Sequence, residues 1–91
     1  MLAVTKDGPV LTLFDENLKP KAILGVTNGA PGLALLDKNV TFRASLEVTK
    51  NGATLSLADE NGKLRAWLGV NDDGSSLDLL DENRKPIWQA P

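Results

Sequence analysis

Apolar and polar residues alternate in short runs along this chain. Leu55 and Leu57 are separated by Ser56, and Leu64, Ala66, Leu68 and Val70 are separated by Arg65, Trp67 and Gly69. A period of two is the signature of a strand with one apolar face. Between these runs lies Glu60-Asn61-Gly62-Lys63, and after them Asp72-Asp73-Gly74-Ser75. Asn-Gly and Asp-Gly accept positive φ at low cost, so both segments read as hairpin turns. Each apolar stretch is short and punctuated by Gly or Pro, which disfavours helix.

The same pattern recurs at a fixed interval. Asp-x-Asn tripeptides begin at Asp15, Asp37, Asp59 and Asp81, each 22 residues after the last. The flanks repeat with them, giving units 7–28, 29–50, 51–72 and 73–91, the last completed by residues 1–6. The chain is expected to be one all-β repeat domain of four hairpin units. With Asn61-Gly62 as a two-residue turn, Leu57 faces Ala66 and Leu55 faces Leu68. With Asp73-Gly74 as the next, Val70 faces Leu77 and Leu68 faces Leu79. Both hairpins keep their apolar residues on one face, whereas a slip of one residue would mix them. Copies without the Gly, such as Asn17-Leu18, Asn39-Val40 and Asn83-Arg84, are read as four-residue loops.

This register staggers the sheet by two residues per unit. Over four units that matches a closed eight-stranded up-and-down barrel filled by side chains. The closing strand would be composite, Lys85–Ala90 followed by Leu2–Lys6, with Met1 near Pro91. The interior would hold Leu13, Leu35, Leu57 and Leu79; Val4, Val26, Val48 and Val70; Leu2, Leu24, Leu46 and Leu68; and Ala22, Ala44, Ala66 and Trp88, with Trp88 plugging the seam. The alternative is an open sheet completed by oligomerisation, as a trimeric β-prism or a fibre.

The other face also carries apolar residues. Phe14, Leu36, Ala58 and Leu80 precede the motif aspartates, and their expected cross-strand neighbours are Lys21, Arg43, Arg65 and Ile87. One reading lays a basic stem over each apolar side chain. Another joins Phe14, Ile23, Leu36, Trp67 and Leu80 into a band that packs on a second chain.

The unit resembles tandem repeats of uncharacterised bacterial proteins with the pattern D-x-x-G-K-x-R-A-x-L-G-V-x-x-D-G-S-x-x-L-x-L. The third unit matches through Asp59, Gly62, Lys63, Arg65, Ala66, Leu68, Gly69, Val70, Asp73, Gly74, Ser75, Leu77 and Leu79. In the first and fourth units Lys21 and Ile87 replace the Arg. The resemblance implies a repeat module of a larger, in some cases surface-exposed protein, and no chemistry.

Composition narrows the function. The 91 residues include no Cys and no His, which removes disulfides, thiolate metal sites and the commonest general base. A net charge of −2 argues against nucleic acid and anionic membrane surfaces as partners. No apolar run approaches a membrane span, and nothing after Met1 looks like a signal peptide. Asp15, Asp37, Asp59 and Asp81 recur at one structural position, where an Asp accepts hydrogen bonds from turn amides. Four equivalent carboxylates do not make the unlike pair that acid–base catalysis needs. Asn71-Asp72-Asp73-Gly74 lacks the spacing of a calcium loop. No catalytic residue, cofactor or metal is expected. The chain reads as a non-catalytic structural or protein-interaction module, with self-association as one form of it. The alternative is a carbohydrate-binding module that stacks a sugar on Trp67.

Overall fold

The computed structural model describes residues 1–90. Nine strands run in chain order through one antiparallel sheet: β1 (Leu2–Thr5), β2 (Gly8–Phe14), β3 (Pro20–Thr27), β4 (Ala30–Leu36), β5 (Phe42–Thr49), β6 (Gly52–Ala58), β7 (Leu64–Asn71), β8 (Gly74–Leu80) and β9 (Pro86–Ala90). No helix occurs among the described residues. The sheet is not closed. β1 pairs only with β2 and β9 only with β8, so the first and last strands form opposite edges.

The expected barrel is corrected by the register. β7 and β8 are joined by Asp72-Asp73, with Asn71 paired to Gly74, so Leu68 faces Leu77 and Ala66 faces Leu79. That is two residues away from the register read on Asp73-Gly74. The cause lies in the turn. Asn71 Oδ1 accepts the Asp73 N–H at 2.8 Å, and Gly74, at φ 132°, is the first strand residue beyond the turn. Asp or Asn at the first turn position and Gly at the fourth is a type I preference. The Lys6-Asp7 and Lys50-Asn51 turns are built alike, with Thr5 and Thr49 Oγ1 in the place of Asn71.

Leu57, Ala66 and Leu79 therefore stand in one row, and Leu79 is the residue one repeat after Leu57. The stagger per unit is zero. A sheet without stagger has no shear to wrap it into a barrel. The composite strand is absent for the same reason: Ala90 pairs with Leu77 at one edge and Leu2 with Leu11 at the other. Pro91, expected beside Met1, lies outside the described residues. Trp88 closes no seam; it faces Leu79 on the edge strand and is about half exposed.

The other hairpin end has a different loop from the one expected. In all four units the Asp carbonyl accepts the N–H three residues on, and the Asp N–H donates to the carbonyl four residues on: Gly62 N to Asp59 O at 2.9 Å, and Asp59 N to Lys63 O at 2.9 Å. The loop proper is three residues, Glu60-Asn61-Gly62. An odd loop reverses the side-chain alternation, and a β-bulge reverses it back. Ala58 pairs with Leu64 and Leu57 with Ala66, which leaves Arg65 as the extra residue. The expected pairs Leu57–Ala66 and Leu55–Leu68 are thus present, although the loop is odd. The expected neighbours of the second face are corrected: Phe14, Leu36, Ala58 and Leu80 pair with Pro20, Phe42, Leu64 and Pro86, and Lys21, Arg43, Arg65 and Ile87 are the bulged residues.

The third loop residue needs positive φ. Gly62 takes it at 80°, but Leu18, Val40 and Arg84 take it at 62°, 62° and 64°. A β-branched residue is least at home there. Val40→Gly is accordingly expected to stabilise the fold by about 1 kcal/mol, somewhat offset by the greater freedom of unfolded glycine. Thermal unfolding of the variant beside the parent checks this. An unchanged or lower midpoint would mean that the loop carries no strain at Val40.

Candidate protein interface

Zero stagger arranges the side chains of one sheet face in straight rows across the strands. The middle row runs Leu2, Leu11, Leu24, Leu33, Leu46, Leu55, Leu68, Leu77 and Ala90 from edge to edge. Beside it, toward the Asp loops, stand Leu13, Ala22, Leu35, Ala44, Leu57, Ala66, Leu79 and Trp88. On the other side the pairs Val4–Pro9 and Val26–Pro31 and the row Val48–Ala53–Val70–Ser75 complete the face. No charged residue falls in these rows. The interior sets expected from the sequence do share one face, but that face has nothing over it.

Exposure measures the consequence. No hydrophobic side chain is buried among the described residues; Gly69 is their one buried residue. Leu2, Leu13, Leu24, Leu46 and Val70 are each about half exposed or more. A compact chain of 9.7 kDa exposes about 5,100 Å², whereas this one exposes 6577 Å². Its radius of gyration is 14.7 Å, against about 12 Å for a compact chain of this length. The molecule measures 38 × 30 × 14 Å, one layer of sheet. Sheets in water bury at least one face against another layer, so this face is the candidate interface.

The opposite face is mixed. Thr12 and Ile23, Ser45 and Ser56, Ser56 and Trp67, and Asp78 and Gln89 are cross-strand partners there. The residues expected to form a contact band, Phe14, Ile23, Leu36, Trp67 and Leu80, are dispersed over this face; Phe14 is exposed and the other four are partly covered. The Trp67 ring lies over Gly69, occupying the space a Cβ would need there. Gln89 Nε2 donates to Asp78 Oδ1 at 3.2 Å.

The motif aspartates accept hydrogen bonds from the main chain of their own loops. Asp59 Oδ1 accepts the main-chain N–H groups of Asn61 at 2.9 Å and Lys63 at 3.0 Å. Asp15, Asp37 and Asp81 make the corresponding pairs of bonds. In two units the bulged arginine joins the loop. Arg43 Nη1 lies 3.3 Å from Asp37 Oδ2, and Arg65 Nη1 lies 3.4 Å from Asp59 Oδ2. The same arginines donate through Nε to the carbonyls of Ala58 at 2.8 Å and Leu80 at 2.9 Å on the next strand. Each therefore ties its own loop to the following hairpin. The aspartates end alternate strands, about 9.5 Å apart at the usual strand spacing. That is too far for two of them to share an ion, and no cluster of metal-ligating side chains occurs among the described residues.

The carboxyls of Asp15, Asp37 and Asp59 are held below the ordinary aspartate range. The main cause is the N–H bond from Lys19, Thr41 or Lys63; burial opposes it, and the second loop N–H and the nearby Lys21, Arg43 or Arg65 reinforce it. A carboxyl whose pKa is depressed on folding adds stability at pH above its unfolded value, near 3.9. That stability is lost as pH falls through the lower folded value. The melting temperature is thus expected to fall with acidification below about pH 4. Asp37→Asn with Asp59→Asn should flatten that acid slope, as followed by circular dichroism. An unaltered slope would place the acid sensitivity elsewhere.

The chain matches no family in a comparison with protein families, and a comparison with curated proteins gives no match.

Proposed function

We propose that this chain is a non-catalytic structural and interaction module, and that its work is to present the three-row apolar face to protein. The observation that carries this is a complete apolar face, free of charge and 38 Å long, on a sheet that buries no hydrophobic side chain of its own. Two further features support it. The four motif carboxylates are engaged in loop hydrogen bonds, and His and Cys are absent. On this reading the open sheet is completed by a second protein layer instead of by closing on itself. Sugar stacking on Trp67 has less support, because the ring is folded down onto the sheet over Gly69 and is only partly exposed.

The test is a charge placed in the middle row compared with the same charge on the opposite face, Leu55→Asp against Ser56→Asp. Loss of the folded assembly in the first alone supports the reading. Equal tolerance of both would remove it.

A further inference from the structure

We infer that the apolar face is covered by a further copy of this same chain, packed face to face with the rows of the two sheets running together. The inference rests on the proposed function, and it names the partner.

The first argument is area. The chain exposes roughly 1,500 Å² more than a compact chain of its mass. A standard interface buries about 800 Å² per partner, and obligate homodimers bury 1,000 Å² or more on each side. The surplus is therefore of the size that permanent self-association removes. A small peptide or a single helix would leave much of it wet.

The second argument is shape. In the row beside the middle one, Leu and Ala alternate at every strand from Leu13 to Leu79. Each large side chain is flanked by gaps one strand spacing away, about 4.8 Å. A second sheet with the same repeat, displaced by one strand, sets its leucines over these alanines along the whole length. Sheets packed about 10 Å apart interdigitate in this way. Another copy has the matching period automatically, since zero stagger keeps the rows straight. A partner of different construction would drift out of step across the nine strands.

The third argument is the placement of polar groups. The rows offer no charge to select or orient a foreign partner. Glu47, Asp78, Arg43 and Arg65 belong to the opposite side of the strands or to its bulges, where an assembly would meet water.

The absence of cysteine makes a direct test available. Leu33→Cys, Leu46→Cys and Leu55→Cys each place one thiol in the middle row, and Ser45→Cys and Ser56→Cys place one on the opposite face. The purified chain is treated with mild oxidant or a short bis-maleimide, then run on a denaturing gel without reductant. Sedimentation velocity of the unmodified chain gives the mass. The expected result is a small whole multiple of 9.7 kDa, with cross-linked chains from the middle-row thiols and none from the opposite face. A folded monomer whose middle-row thiols stay free overturns self-association. If such a monomer binds an apolar fluorescent dye and Leu55→Asp removes that binding, the exposed face stands and self-pairing alone is lost. If the monomer binds no dye, both fall.

Discussion

Leu55→Asp is expected to cost on the order of 3–5 kcal/mol, the penalty for an unpaired charge in an apolar interface. Small domains have only about 5–15 kcal/mol in total. The variant should therefore sediment as a monomer and lose most of its cooperative thermal transition. Leu55 sits between Leu46 and Leu68 in the middle of the longest row, so a carboxylate there meets leucine on both flanks. Ser56→Asp puts the same charge one residue away, between Ser45 and Trp67 on the opposite face. Surface changes of that kind stay within about 0.5 kcal/mol. The contrast separates an effect of the face from an effect of added charge on strand β6. Sedimentation velocity and circular dichroism melting measure both variants, and similar melts would refute the proposed role of the face.

Gly52→Ala should destabilise the sheet by about 3 kcal/mol, the upper part of the range for point substitutions. Gly52 opens β6 and pairs with both Thr49 and Asn71. A Cβ there would overlap the Val70 carbonyl oxygen and lie 2.8 Å from the Val70 carbonyl carbon and 2.9 Å from the Asn71 Cα. These are main-chain atoms of the neighbouring strand, so no side-chain rotation relieves the clash. One ladder must separate, in the centre of the sheet. Gly29 offers the control. It has φ 85° and open space where a Cβ would stand, so Gly29→Ala carries only the conformational cost of about 1 kcal/mol. Denaturant titration of the two variants gives the comparison. A Gly52→Ala loss no greater than that of Gly29→Ala would show that the strands have room to part.

Repetition explains why so much of this architecture was legible. Four copies of one pattern reveal strand parity four times over, and parity alone decides which residues share a face. Leu57 and Leu68 lie together as read, and so do the leucine, valine and alanine sets around them. The hydrogen-bond partners of Asp15, Asp37, Asp59 and Asp81 were legible too, because an Asp before a short loop has few partners besides loop amides.

Two misreadings were local, and one had a global result. The loops at the Asp end have three residues and a bulge, where even loops were expected. The two changes cancel, so parity survived but the neighbours of Phe14, Leu36, Ala58 and Leu80 did not. A clue was available in the conserved loop length across units with and without glycine, since Leu18, Val40 and Arg84 adopt the same conformation as Gly62. At the other end Gly74 follows the turn, whereas the Asp-Gly pattern alone puts it inside. That moved one register by two residues without changing which face any residue occupies.

The alternation of apolar residues was enough by itself to determine the strands, their number within a unit, the composition of each face and the positions of the loops. These depend on short-range chemistry and on a period of two, both visible in a single chain. Whether the sheet curls shut or stays open was decided only in three dimensions. A two-residue slip preserves every facing preference, yet it changes the accumulated stagger from that of a barrel to zero. The hydrogen bond from Asp73 N–H to Asn71 Oδ1, with its counterparts at Thr5 and Thr49, sets that slip. The open sheet that results leaves its leucine rows exposed.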